Sequence, residues 1–93
     1  MPANTNNYAA TVAVATASYP ATAQYVPTNG GELCIQHSGN VNNLITFSFD
    51  GTNDAGIVQA GTAVTMSGRY KEVFFKGAAA TSTTLYVTTE FVR

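Results

Sequence analysis

The chain has 93 residues and a mass of 9.7 kDa, which is enough for one domain around one hydrophobic core. Only 10% of the residues are charged and the net charge is −1, so the clustered lysine and arginine of a nucleic-acid surface are missing. No segment approaches the roughly 20 apolar residues that cross a bilayer, and no membrane partner is expected.

The chain has one cysteine, Cys34, and one histidine, His37. A domain of this size is marginally stable alone and usually depends on disulfides, a metal or oligomerisation. Cys34 has no partner for an intrachain disulfide, and these two residues are the only soft metal ligands. We therefore expect no structural metal, and oligomerisation as the source of additional stability.

Residues 1–7 are polar and unpatterned, which predicts a flexible arm before a single domain at residues 8–93. In the next segment Tyr8, Ala10, Val12 and Val14 share one face at period two, and the β-branched residues favour a strand over residues 8–19. The segment lacks the positive start and strongly apolar centre of a signal peptide, so synthesis in the cytoplasm is expected.

Two prolines, Pro20 and Pro27, bracket a short edge strand that contains Tyr25. The turn chemistry of residues 28–31 then leads to Glu32–His37, where the first of two well-patterned strands is predicted. Leu33, Ile35 and His37 share one face of that strand.

The second well-patterned strand covers residues 44–50 and places Ile45, Phe47 and Phe49 on one face. Shorter strands are predicted at residues 57–58, 63–67 and 69–76, and a last strand alternates Leu85, Val87, Thr89 and Phe91 with polar residues. Seven or eight short strands with turns about every ten residues predict an all-β fold, either an antiparallel β-sandwich or a small barrel.

Cys34 and His37 are the one pair that suggests nucleophilic catalysis. Residues three apart on a strand point to opposite faces, so the two side chains are not expected to meet. We interpret Cys34 as a small buried hydrophobe and His37 as a half-buried histidine.

Two pairs of acidic residues suggest other sites. Asp50 and Asp54 flank a loop with oxygen ligands, but calcium usually requires six to eight of them, and Asp-Gly is also a common hairpin turn. Glu72 and Glu90 have the residue type of a glycosidase pair and nothing nearby that would raise a pKa. We predict no catalytic residue, cofactor or metal site.

The tyrosines are the best candidates for an interface. Tyr8, Tyr19 and Tyr25 lie in the first third of the chain, which has no charged residue before Glu32. The second predicted group is Arg69, Tyr70 and Lys71, part of the only cluster of charges and one whose mixed signs suit a protein contact. That the tyrosines only cover the sheet is an alternative that the sequence leaves open.

Four segments carry a family resemblance: residues 47–53 (FSFDGTN), 59–62 (QAGT), 73–77 (VFFKG) and 84–87 (TLYV). In this order they resemble small phage virion proteins in which a strand ending in SFDG leads to an AGT turn and a late TLYV strand. The resemblance covers about residues 44–92 and includes no catalytic signature.

The resemblance implies a virion structural protein, most simply a capsid cement (decoration) protein that binds the major capsid protein as a homotrimer. The alternative is a tail- or fibre-associated module that binds a carbohydrate or a receptor. For that function Tyr70, Tyr86, Asn53 and Asp54 are the residues that would form an aromatic platform with polar groups beside it.

Overall fold

A computed structural model describes residues 5–28 and 30–92, and these residues form eight β-strands. The strands are β1 (Thr5–Val14), β2 (Gln24–Tyr25), β3 (Glu32–His37), β4 (Ile45–Ser48), β5 (Gly56–Val58), β6 (Ala63–Ser67), β7 (Glu72–Gly77) and β8 (Thr83–Val92). In this part of the chain no helix is long and apolar enough to span a membrane.

The strands form two four-stranded antiparallel sheets. Sheet A has the order β1-β8-β3-β6, and sheet B has the order β2-β7-β4-β5. Apart from the β4–β5 hairpin, each connection carries the chain from one sheet to the other, which is the topology of a double-sheet jelly roll. The predicted all-β sandwich is therefore confirmed, and two open sheets replace the alternative of a closed barrel.

The core lies between the sheets because each strand alternates one inward and one outward side chain. On β3 this alternation places Leu33, Ile35 and His37 on one face, as predicted, and buries all three, His37 more deeply than the half-buried position expected for it. The hydrophobic core consists of Val14, Val26, Leu33, Ile35, Ile45, Phe47, Val58, Val73, Phe75, Leu85 and Val87. Both sheets contribute residues to this core, and each sheet covers the apolar face of the other.

The first strand differs from its prediction at both ends. β1 begins at Thr5, inside the predicted arm, because residues 5–7 continue the antiparallel ladder with residues 90–92 of β8. Residues 1–4 of that arm lie outside the described residues. β1 ends at Val14 and not near Tyr19, since the chain leaves sheet A there and the carbonyl of Thr16 accepts a hydrogen bond from the Gly77 amide at 2.8 Å.

Two later boundaries also differ. β4 ends at Ser48 because the Ser48 hydroxyl accepts the amides of Asp50 (3.2 Å) and Gly51 (2.9 Å), which turns the chain before Phe49 can continue the strand. β7 begins at Glu72, since residues 69–71 precede the ladder and run beside residues 26–28.

Phe47→Ala is expected to lower the free energy of unfolding by about 3–5 kcal/mol, because Phe47 is 4% exposed at the centre of the core. Phe49→Ala should cost less, because Phe49 is only partly buried at the edge of the core. The matched control is Ile57→Ala on the outer face of sheet B, where a change within about 0.5 kcal/mol is expected. Urea denaturation measures all three, and an unchanged midpoint for Phe47→Ala would contradict the assignment of this face.

Candidate interaction surface

Two connections that lie about 40 residues apart in the sequence run side by side at one end of the sandwich. The amides of Val26 and Thr28 donate to the carbonyls of Lys71 (2.8 Å) and Tyr70 (3.1 Å), and the Gly30 amide donates to the Gly68 carbonyl (2.9 Å). This pairing extends the β2–β7 ladder and holds the residues before β7 against the residues after β2.

Thr28 fixes this contact from inside. Its side chain is fully buried, its hydroxyl accepts the Tyr70 amide at 2.6 Å, and the same hydroxyl lies 2.7 Å from the Gly68 carbonyl to which it donates. Because this buried hydroxyl both donates and accepts a hydrogen bond, it stabilises the contact. An apolar residue at this position would leave the Tyr70 amide without its side-chain acceptor.

A shallow depression of about 320 Å³ lies over this contact. Its lining residues, which we call the Tyr25–Tyr70 surface, are Tyr25, Pro27, Thr28, Arg69, Tyr70 and Lys71. Four of the six residues predicted as an interface therefore line one depression, although Tyr25 comes from β2 and the other three come from the β6–β7 connection.

The two tyrosines of the Tyr25–Tyr70 surface have different environments. Tyr70 is half-buried and stacks on Phe49, with the ring centroids 4.3 Å apart and the planes at 13°. Tyr25 is 53% exposed, and the Tyr8 ring meets it edge-on at 5.5 Å. Tyr8, the fifth predicted residue, is therefore adjacent to the surface, where its hydroxyl accepts a hydrogen bond from Gln24 Nε2 at 3.3 Å.

Tyr19, the sixth predicted residue, has other partners. Its hydroxyl donates to Asp54 Oδ1, and the Lys76 ammonium lies 4.5 Å from its ring centroid and 3.4 Å from the same carboxylate oxygen. Burial and then the hydrogen bond to Asp54 raise the pKa of Tyr19, and that bond lowers the pKa of Asp54. These contacts fasten the β1–β2 connection to sheet B.

Cys34 and His37 do not meet, as predicted, but their exposures are the reverse of those expected. Cys34 lies half-exposed on the outer face of sheet A, and His37 is 1% exposed on the inner face. Gly39 donates its amide to His37 Nδ1 (2.9 Å), and Nε2 donates to the Asn43 carbonyl (2.8 Å). Both ring nitrogens are thus occupied in holding the β3–β4 connection.

The carboxylate of Asp50 holds its own loop together. Oδ1 accepts the amides of Thr52 (2.8 Å) and Asn53 (2.7 Å), and Oδ2 accepts the side-chain amide of Asn53 (2.8 Å). These bonds to the amides of Asn53 and Thr52 hold the pKa of Asp50 well below its usual value. Nowhere in residues 5–28 and 30–92 do three His, Cys, Asp or Glu side chains converge as a metal site would require.

Local sequence patterns did not indicate that Pro27 and Thr28 belong to this surface. The partners of the Thr28 side chain lie 40 and 42 residues away, so no spacing within a strand or turn marks it. Tyr25, by contrast, was found from its position in an uncharged segment, and Arg69 from its place in a charge cluster.

Comparison with known proteins supports the fold alone. No protein-family model matches the chain, and no curated protein sequence matches it. One similar solved structure is the hydroxypropylphosphonic acid epoxidase from S. wedmorenis, with a TM-score of 0.55, 15% identity and 88% of this chain covered. The match covers 42% of the epoxidase, so this chain spans less than half of that enzyme's length.

A second similar structure is that of Bacillus endospore appendages, which form disulfide-linked pili. It is 15% identical, with 99% of this chain and 91% of that chain covered, and its TM-score of 0.46 is too low to bear on fold or function.

Asp50→Ala is expected to lower the melting temperature at neutral pH, because the amides of Thr52 and Asn53 lose their acceptor. A pKa below its ordinary value of 3.8 means that the carboxylate stabilises the fold above that value and stops doing so as the pH falls through the folded-state pKa. The difference from the wild type should therefore shrink towards about pH 2 in thermal unfolding followed by circular dichroism.

The control for this prediction is Asn42→Ala, an exposed and uncharged position in another connection, whose effect should not depend on pH. A constant difference between Asp50→Ala and the wild type across the pH range would show that the charge of Asp50 contributes nothing.

Proposed function

We propose that this protein is a non-enzymatic structural protein that acts by binding other protein surfaces, and that the Tyr25–Tyr70 surface is its docking site. The observation that carries the proposal is the convergence of Tyr25, Arg69, Tyr70 and Lys71 on one depression with a half-exposed aromatic ring at its rim. Tyrosine and arginine are enriched at the energetic centres of protein interfaces.

The side chains of this surface differ in how much conformational freedom they would lose on binding. Tyr70 is already held by its stack on Phe49, and Pro27 has a restricted backbone, so neither requires much further ordering. Tyr25 offers the largest exposed aromatic area of the described residues. Lys71 is exposed, and its positive charge favours a partner whose facing surface carries carboxylates.

The resemblance to phage virion proteins suggests a partner for this docking site. We propose that the protein decorates a capsid after synthesis in the host cytoplasm, and that its partner is the major capsid protein. A preformed sandwich across the joints between capsid subunits adds contact area that opposes the internal DNA pressure. Several linked protomers that engage the lattice together would gain avidity without new contacts.

A tail- or fibre-associated module that binds a carbohydrate or receptor is the second candidate. The residues predicted for it are dispersed: Tyr86 lies on the outer face of sheet A, whereas Asp54 bonds Tyr19 and Lys76 beside sheet B. Two tyrosines beside a depression of about 320 Å³ still suit a small sugar, at the lower end of the usual range of ligand-site volumes. Copy number separates the two functions: hundreds per particle favour decoration, and a handful favour a tail module.

Tyr25→Ala is expected to weaken binding to capsid particles at least about tenfold, because an exposed aromatic at the centre of an interface typically contributes more than 1.4 kcal/mol. The matched control is Tyr86→Ala, the same residue type at 44% exposure but on the outer face of sheet A. Co-sedimentation with undecorated particles measures both variants. Equal affinities of the two variants for the particles would show that the Tyr25–Tyr70 surface does not take part in docking.

The isolated protein is expected to form a homo-oligomer, and the resemblance implies a trimer. A small core without disulfides and a surface with few charges are the physical reasons. Light scattering at micromolar concentration tests this, and a mass of 9.7 kDa at every concentration would contradict it.

A further inference from the structure

β1 has one paired edge and one open edge. It pairs with β8 over all ten of its residues, and no described strand pairs with its other side. Its sequence, TNNYAATVAV, contains no charge and no proline. Soluble proteins usually block a long edge strand with lysine, proline or a bulge, because its free amides and carbonyls accept another strand.

The exposed side chains in the middle of β1 are small. Ala9, Thr11 and Ala13 form the exposed outer face of β1, while Val12 and Val14 face inwards. A mostly apolar slot of about 380 Å³ opens between the sheets beside Val12 and Val14, and Phe75 lines it. The β1–β2 connection also lines this slot, and the Tyr8 ring contacts Tyr25 nearer the start of the strand. A further strand therefore meets small, uncharged side chains along the middle of β1.

We propose that β1 pairs antiparallel with β1 of a second copy of this chain and joins the two A sheets into one sheet of eight strands. The match of length favours a second copy in this orientation. Nine of the ten residues of β1 can pair with residues of the second copy's β1, whereas β6, the other edge of sheet A, has only five residues. Self-pairing of a strand without charges also brings no like charges together.

The register follows from the faces. In an antiparallel pair, residues directly opposite each other point to the same face of the sheet. A twofold axis perpendicular to the sheet must therefore lie midway between one residue of β1 and the same residue of the second copy. With the axis at Ala10, Tyr8 lies opposite Val12 of the second copy, an aromatic and β-branched pair of the favourable kind. An axis at Ala9 would place Tyr8 opposite Ala10 and lose that pair.

A twofold contact of this type closes after two copies. If the trimer implied by the resemblance also forms, pairs of trimers give six copies. Pairing of β1 with β1 gives the homo-oligomer expected under the proposed function a specific contact surface. It does not require that the protein be part of a virion.

Two double variants test the register. In Ala9→Lys/Thr11→Lys each lysine at position 9 would lie opposite a lysine at position 11 of the second copy. In Ala9→Lys/Thr11→Glu the same positions carry opposite charges. Both positions are exposed, so the fold should tolerate both variants. Sedimentation equilibrium should show a dissociation constant at least about tenfold higher for the first variant than for the second.

The matched control is Ala63→Lys/Thr65→Lys, which places two lysines on the exposed face of the other edge of sheet A. Its self-association should equal that of the wild type. Weakening by this control, a trimer with no even-numbered species, or equal dissociation constants for the two β1 variants would each overturn the proposal. Circular dichroism melting accompanies each measurement to exclude unfolding.

Cross-linking tests the axis even if a charged variant fails to fold. In a Cys34→Ser background, Ala10→Cys should give a disulfide-linked dimer on mild oxidation, because residues opposite each other in an antiparallel pair approach disulfide distance. Residue 13 would lie about six residue positions along the strand from residue 13 of the second copy. The Ala13→Cys variant should therefore stay monomeric on a denaturing gel. The reverse pattern overturns the register. The docking proposal is tested separately, by measuring particle binding of a β1 variant that no longer self-associates. If that variant still binds particles, docking does not require the pairing of β1.

Discussion

The pairing of β8 with both β1 and β3 is the constraint on which the rest of the structure depends. The last strand enters sheet A between two earlier strands, so the sheet is complete only when the end of the chain is in place. This insertion buries Leu85 and Val87 at the centre of the core. It also pairs one edge of β1 along its whole length and leaves the other edge unpaired among the described strands.

A second long-range contact shapes the surface. Thr28, buried after β2, joins the backbone of residues 68–70, and this places Tyr25 beside Tyr70. The polar residues that first suggested chemistry serve the connections in the same way: His37 holds the β3–β4 connection, and Asp50 holds the β4–β5 loop. His37 and Asp50 are thus engaged within the fold, whereas Tyr25 is the most exposed of the described aromatic side chains.

The two proposed contacts use different physical properties of one small sandwich. The Tyr25–Tyr70 surface offers aromatic area and positive charge, which suit a partner of a different composition. The open edge of β1 offers backbone hydrogen bonds and small side chains, which suit a second copy. A chain with so few charges has little electrostatic repulsion to oppose either proposed contact.

The sequence by itself determined the strand period, and with it the class of fold and many of the inward faces. The bounds of β3 and β6 and the shared inward face of Leu33, Ile35 and His37 were predicted from the sequence, because the period of two is a local property of the chain. Tertiary structure decided the order of the strands, the extension of β1 to Thr5 against β8, and the separation of Tyr19 from the other tyrosines. Apart from the β4–β5 hairpin, those features depend on contacts between residues that lie from 26 positions (Ser48 and Phe74) to 87 positions (Thr5 and Val92) apart, and no local pattern encodes them.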